Sequence, residues 1–74
     1  MSILPQVRPK DLLRALQKEG FKVHRKTGSH IFIRHPDGRL TSISIHPGII
    51  AKGTLKAIMN QSKLSLEKLK EILK

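Results

Sequence analysis

Three short strand-like runs, separated by glycine-containing turns, are the feature that most constrains how this 74-residue chain folds. The runs occupy residues 21–26, 31–33 and 41–45. Apolar residues alternate with polar ones in the first and third runs, and a period of two is typical of half-buried strands. Gly28 and the Pro-Asp-Gly segment at 36–38 favour tight hairpin turns between the runs. The sequence therefore predicts a three-stranded antiparallel sheet.

Helical patterns precede and follow these strands. The spacing predicts a first helix over residues 9–19, because proline suits the first helical position and Gly20 favours termination. A second helix is predicted over residues 54–60, and Ser65 is a suitable cap for a third. The apolar stripe of that third helix is Leu66, Leu69, Ile72 and Leu73. We expect this stripe to complete the domain's own core, the alternative being that it docks a partner protein.

The resulting order is α-β-β-β-α-α, which predicts one α+β domain spanning residues 1–74 with helices on one face of the sheet. Residues 1–8 are interpreted as a loose N-terminal lead-in. The chain has no cysteine, so it has neither disulfides nor a thiolate metal site. Its apolar runs are too short for a membrane span, and we expect a cytoplasmic protein.

The charge of the chain is strongly positive. Fifteen basic residues against five acidic ones give a net charge of +10, spread along the whole sequence. This pattern favours nucleic acid as the partner, ahead of an acidic protein and then a membrane surface. Only two aromatic residues are present, both phenylalanine. Because base-stacking modules usually carry several aromatic rings, we expect contacts mainly with the phosphate–sugar backbone.

A period of two assigns each strand residue to one face of the sheet. The apolar pairs assigned to the helix-covered face are Phe21 and Val23, Ile31 and Ile33, and Ile43 and Ile45. The residues between them are assigned to the open face, namely Lys22, His24 and Lys26, then His30, Phe32 and Arg34, then Ser42, Ser44 and His46. The prediction is a basic, solvent-exposed face with His30 near its middle.

The register of the strands decides which histidines meet. A three-residue first turn sets His24 directly opposite His30. The second hairpin sets Ile31 opposite Ile43, which places His46 diagonal to His30. Diagonal neighbours on one face lie roughly 7–8 Å apart.

The Thr27-Gly28-Ser29-His30 segment carries the most specific chemistry. Histidine has the unperturbed pKa closest to neutrality, so it transfers protons at physiological pH. A strand fixes the direction of the side chain, and a glycine-containing turn lets a large ligand approach the backbone. Among the polyanions that a basic surface attracts, RNA carries its own nucleophile, the 2′-hydroxyl. The segment therefore suggests RNA cleavage with His30 as base or acid, the alternative being an exposed strand residue with no catalytic role.

A family resemblance supports this interpretation. Gly28-Ser29-His30, then His46-Pro47, then Lys52-Gly53-Thr54-Leu55 followed by Ile58 and Gln61, resembles the HicA toxin family. The resemblance implies a fold similar to a double-stranded-RNA-binding domain, and cleavage of mRNA without a metal or other cofactor. It also implies neutralisation by an acidic HicB-type antitoxin. The family's catalytic histidine follows the Gly-Ser pair, so the resemblance carries that role to His30.

The other candidate residues have weaker signals. His46 is as consistent with a second proton carrier as with a residue that simply ends the third strand, whereas His24 is interpreted first as a solvated strand residue. His35, before Pro36, is predicted to be a turn residue. None of the four histidines has the spacing of a zinc site. The candidate RNA-binding residues are Lys22, Lys26, Gly28, Ser29, Arg34, Lys52, Gly53 and Thr54.

Two alternatives remain open from the sequence. The segment 52–54 precedes a helix, so it either binds phosphate through backbone N–H groups or serves only as a helix cap. At the level of function, the rivals to a nuclease are a non-catalytic RNA-binding module of the same fold and a protein that binds only other proteins.

Overall fold

The computed structural model describes residues 3–74 and has the predicted element order. Its sheet has the strand order β1-β2-β3, with both pairs antiparallel. This is the α+β architecture expected from the sequence, and it is consistent with a double-stranded-RNA-binding-domain-like fold. The elements are α1 Pro9–Lys18, β1 Lys22–Thr27, β2 His30–Arg34, β3 Leu40–Ser44, α2 Lys52–Ser62 and α3 Leu66–Ile72.

The first helix begins and ends as predicted. Pro9 lies in its first turn, where the missing N–H has no helical partner to lose. Gly20 follows the C-cap with a φ of +113°, in the left-handed region that glycine enters without steric cost. The buried face of α1 includes Leu12 and Leu16, both with no exposed surface. Helix α1 therefore packs against the sheet and α3.

The second hairpin has the predicted register. Ile31 pairs with Ile43, and His30 pairs with Ser44. The turn is closed by a 2.8 Å hydrogen bond from the His35 N–H to the Arg39 carbonyl. The Pro-Asp-Gly signal was therefore sufficient to fix β2 against β3.

The predicted register of the first hairpin is wrong. Thr27 pairs with His30, so the turn contains only Gly28 and Ser29. Gly28 is its first central residue and has a φ of +58°, as in a type II′ turn. The backbone twist of such a turn matches the right-handed twist of the flanking strands, and the turn is one residue shorter than the sequence suggested.

A β-bulge changes the first strand further. The register shifts between Val23 and Arg25, so that His24 is the extra residue. His24 is consequently not opposite His30. Beyond the bulge Arg25 pairs with Phe32, and Lys26 pairs with Ile31. The open face of β1 therefore carries Arg25 where Lys26 was predicted.

The core lies between the sheet and the three helices. Phe21, Ile33 and Ile43 are buried as predicted, and Ile31 and Ile45 pack against the core while partly exposed. Val23 was predicted to be buried but is 42% exposed; it lies on the edge strand β1, next to the bulge. The remaining buried apolar residues are Val7, Leu12, Ala15, Leu16, Ile50, Leu55, Ile58, Leu64, Leu69 and Ile72.

Part of the predicted lead-in is attached to this core. Val7 is buried, and its carbonyl accepts a 2.9 Å hydrogen bond from the Ile50 N–H. Met1 and Ser2, which belong to the same predicted segment, lie outside the described residues. The contact between residues 7 and 50 holds the start of the chain beside the segment that leads into α2.

The two C-terminal helices differ in how they begin. Helix α2 starts at Lys52, two residues before the predicted start, after an extended Ala51 that offers no side-chain cap. Helix α3 is capped by Ser65, whose hydroxyl accepts a 3.0 Å hydrogen bond from the Lys68 N–H, as predicted. Leu69 and Ile72 of its apolar stripe are buried in the core of the domain itself. Between residues 3 and 74, no helix reaches the length and apolarity needed to cross a bilayer.

Candidate functional site

The open face of the sheet is a grid of three rows. Residues paired directly across antiparallel strands place their side chains on the same face, so the register assigns the rows. They are Lys22 with Arg34 and Leu40, Arg25 with Phe32 and Ser42, and Thr27 with His30 and Ser44. Three of the nine side chains are cationic and none is acidic. The face therefore suits an anionic ligand.

His30 is exposed on this face, as predicted. It opens β2 directly after the Gly28-Ser29 turn, and its row partners, Thr27 and Ser44, both carry hydroxyl groups. A Cβ added at Gly28 would meet no atom within 4 Å. The backbone beside the imidazole is therefore open to a bulky ligand.

The cations of the first two strands are not neutralised by carboxylates. Asp37 pairs with Arg39, while Glu19 and Glu71 lie near Lys68. Within residues 3–74, four basic residues of β1 and β2 have no acidic partner, and we call them the strand cations. They are Lys22, Arg25, Lys26 and Arg34.

Arg25, which the sequence offered only as part of a phosphate track with Lys26 and Arg34, lies on the open face itself. Its guanidinium carbon lies 4.8 Å from the centroid of the Phe32 ring, in a cation–π contact on the open face. Lys26, by contrast, is exposed at the sheet edge opposite Ile31. The bulge at His24 places Arg25 rather than Lys26 on the open face. No signal in a single sequence marks the position of this bulge.

His46 lies just beyond β3 with a defined ring orientation. Its Nδ1 is 2.8 Å from the Pro47 carbonyl oxygen, which can only accept, so Nδ1 carries a proton. In the neutral ring Nε2 is then unprotonated. A 2.7 Å hydrogen bond from the Ile45 N–H to the Ser29 carbonyl keeps this segment beside the turn that precedes His30.

His24 lies towards the opposite end of the sheet. Its surroundings are a shallow hollow formed with Lys22, Arg34, His35 and Pro36. It is three positions along the chain from Thr27, the row partner of His30, which corresponds to about 10 Å along a strand. The structure therefore does not bring His24 to the end of the sheet where His30 lies.

The segment 52–54 forms the first turn of α2. Ala51 occupies the N-cap position, so the alternative that segment 52–54 serves only as a helix cap is wrong. Backbone N–H groups in a first helical turn have no helical acceptor. Lys52, Gly53 and Thr54 are all exposed, and a Cβ at Gly53 would meet nothing within 4 Å. The backbone donors of this turn are accessible to an anion.

His35 is a turn residue, as predicted, and its ring is held by contacts within the protein. The Asp37 N–H donates to its Nδ1 at 3.2 Å, and Nε2 lies 3.2 Å from the Glu19 carbonyl. Its ring meets Phe21 edge-on, with 5.1 Å between the centroids. In the same turn, the hydrogen bond from the backbone N–H of Arg39 lowers the pKa of the Asp37 carboxyl. These contacts connect the β2–β3 turn to the end of α1.

A comparison with protein families identifies the chain. The family model described as the HicA toxin of bacterial toxin–antitoxin systems matches residues 9–64, about three quarters of the sequence. The chain belongs to the HicA toxin family. Membership in the HicA family indicates the toxin of a toxin–antitoxin pair, with a HicB-type antitoxin as partner. A comparison with curated proteins gave no significant match.

Proposed function

We propose that this chain is a metal-independent endoribonuclease that cleaves mRNA, with His30 as a proton-transfer residue. The observation that carries the proposal is the exposed imidazole of His30, set in a row of hydroxyl side chains beside cations without acidic partners. Membership in the HicA family supports an action on mRNA. No cofactor is invoked, because RNA supplies the nucleophile itself.

The reaction begins with removal of the proton from a ribose 2′-hydroxyl. The 2′-oxygen forms a bond to the adjacent phosphorus, and the bond from phosphorus to the 5′-oxygen breaks. The leaving 5′-oxygen receives a proton, so the products are a 2′,3′-cyclic phosphate and a 5′-hydroxyl. Base and acid catalysis each contribute about 10²–10⁴-fold to such a step. His30 supplies one of these functions.

The second proton carrier is proposed to be His46 in preference to His24. His46 is two residues beyond Ser44, which ends β3 and pairs with His30. With Nδ1 donating to Pro47, the unprotonated Nε2 is available to accept a proton. His24 lies at the other end of its strand and has no such arrangement.

Cationic groups stabilise the charge that develops on the phosphorane oxygens. Lys22, Arg25 and Arg34 share the open face with His30, and Lys26 extends the charge to the sheet edge. We assign to the Gly28-Ser29 turn the role of letting the RNA strand come close to the protein backbone. The first turn of α2, at residues 52–54, is assigned to a further phosphate through its accessible N–H groups.

The test is cleavage of a purified RNA by His30→Ala in the presence of EDTA. We expect cleavage to fall by about 10²–10⁴-fold, because one proton transfer is lost. The thermal midpoint and most of the RNA affinity should remain, since the ring is exposed. His24→Ala is the matched control and should cleave like the unaltered protein. Undiminished cleavage by His30→Ala would refute the assignment of His30.

The same assay separates the rival functions. A non-catalytic RNA-binding module is favoured if the unaltered protein binds RNA but never cleaves it. A protein that binds only other proteins is favoured if RNA is not retained even at low salt. For the HicB-type partner, we propose an acidic surface, because the toxin carries a net charge of +10.

A further inference from the structure

We propose that Phe32, Ser42 and Gln61 form a pocket for one unpaired nucleobase of the RNA, adjacent to His30. This inference rests on the proposed function, because it names the part of the RNA that the open face recognises. The phosphate contacts described above provide affinity without sequence information, whereas a base pocket provides selectivity.

Phe32 is an aromatic ring on an otherwise polar surface. It is half-buried on the open face, whereas Phe21, the other aromatic residue of the chain, is buried in the core. Arg25 lies over the Phe32 ring from the β1 side. Aromatic rings and guanidinium planes are the groups on which proteins stack unpaired bases. Phe32 is therefore a stacking platform within the cationic surface.

A shallow hollow adjoins the ring on its β3 side. The side chain of Leu40 in this hollow is 50% exposed, so the hollow offers apolar surface as well as polar groups. Because β3 is an edge strand, its outer backbone groups are also available for hydrogen bonding. Apolar walls with a few directed polar groups are typical of ligand sites. The hollow is lined by Phe32, Leu40, Thr41, Ser42 and Gln61.

Gln61 presents its amide in one orientation. The hydroxyl of Thr41, which is buried, donates a 2.6 Å hydrogen bond to the Gln61 side-chain oxygen. With that oxygen engaged, the amide N–H groups are the part left for a ligand. Carbonyl oxygens and ring nitrogens on base edges accept such bonds. The Ser42 hydroxyl, paired across from Phe32, can donate or accept.

The position of the hollow matches the proposed chemistry. Phe32 and His30 share a face and are two residues apart, about 6.6 Å along the strand. A base stacked on Phe32 and a phosphate beside His30 therefore lie within the span of one nucleotide. In a duplex the base faces are stacked and the pairing edges are occupied, so the pocket accepts only unpaired RNA.

The test uses a short single-stranded oligonucleotide that contains the fluorescent base 2-aminopurine and uncleavable 2′-O-methyl sugars. Binding to the unaltered protein should quench the fluorescence, because the base stacks on Phe32. Phe32→Leu, which keeps an apolar side chain but removes the ring, should lose the quenching and bind about 5- to 100-fold more weakly. Ile3→Ala, at an exposed apolar residue away from the sheet face, is the matched control and should behave like the unaltered protein.

A cleavage map provides the second readout. Gln61→Ala should broaden the base preference next to the cut site, because the amide that Thr41 orients towards the base is removed. Cleavage by the unaltered protein together with normal quenching by Phe32→Leu would overturn the base pocket but not the nuclease. Quenching that depends on Phe32, without any cleavage, would overturn the nuclease but not the pocket.

Discussion

The hydrogen bond from His46 to the Pro47 carbonyl determines which ring nitrogen of His46 can act as a base. A carbonyl oxygen has no proton to give, so Nδ1 is the donor and Nε2 is left with its lone pair. His46 is exposed, and nothing in its own packing requires an imidazole. This tautomer leaves Nε2 as the proton acceptor, which the proposed catalytic role requires.

This orientation gives a prediction for His46→Asn. Asparagine keeps a donor near the position of Nδ1 but has no group that replaces Nε2. We expect kcat for RNA cleavage to fall by about 10²–10⁴-fold. KM should change little. Full activity would show that His46 only ends the strand.

Single residues also show what the sequence could predict about the site. The exposure of His30 followed from the alternation of apolar residues in β2 and β3, whose register a Pro-Asp-Gly turn defines. The exchange of Arg25 for Lys26 did not follow, because a one-residue bulge at His24 moves every later β1 side chain to the opposite face. The start of α2 without a side-chain cap was equally unpredictable, because the hydrogen bond between Val7 and Ile50 fixes the segment that leads into this helix.

At the scale of elements, the two hairpins differ in how strongly their turns are specified. The β2–β3 turn is supported by side chains as well as by glycine. Arg39 donates from Nε to an Asp37 oxygen at 2.8 Å and from Nη1 to the Ser62 carbonyl at 2.6 Å, so it connects the turn to the end of α2. The β1–β2 turn has only Gly28 and Ser29. The local sequence therefore predicted the register of the β2–β3 hairpin and not that of the β1–β2 hairpin.

The Asp37 carboxylate gives the β2–β3 turn a pH dependence. The backbone N–H of Arg39 lowers the pKa of this group in the folded protein. The folded state thus binds the proton less readily than the unfolded chain, whose aspartates titrate near about 3.9. Its contribution to stability is present above that pH and is lost as the pH falls through the lower pKa of the folded state.

Asp37→Asn tests this dependence. The variant should unfold at a lower denaturant concentration than the unaltered protein at neutral pH, because it cannot carry the charge that pairs with Arg39. The difference between the two proteins should shrink as the pH is lowered through the acidic range and then disappear. Urea titrations across a pH series measure both effects. A difference that stays constant from neutral to strongly acidic pH would contradict the proposed role of the carboxylate.

At the scale of the whole molecule, the two faces of the sheet have different roles. The helices and the inner sheet face form the core, and all acidic residues involved in ion pairs lie in or beside the helices or in the β2–β3 turn. The opposite sheet face keeps its cations unneutralised. Helix α3 lies outside the segment that matches the HicA family, yet Leu69 is completely buried. The domain therefore needs its C-terminal helix for its core, while the proposed proton-transfer residue His30 lies on the open face of the sheet.

This division predicts how RNA affinity responds to salt. A ligand held by cations releases counterions on binding, and for about five phosphates of a single strand log K should fall with log salt with a slope near −3.5. Arg25→Gln should reduce the magnitude of that slope by about 0.7, because one phosphate contact is lost. Lys70→Gln removes the same charge from the exposed side of α3 and should leave the slope unchanged. Equal slopes for Arg25→Gln and Lys70→Gln would mean that the open face does not bind the strand, since an effect of overall charge changes both variants alike.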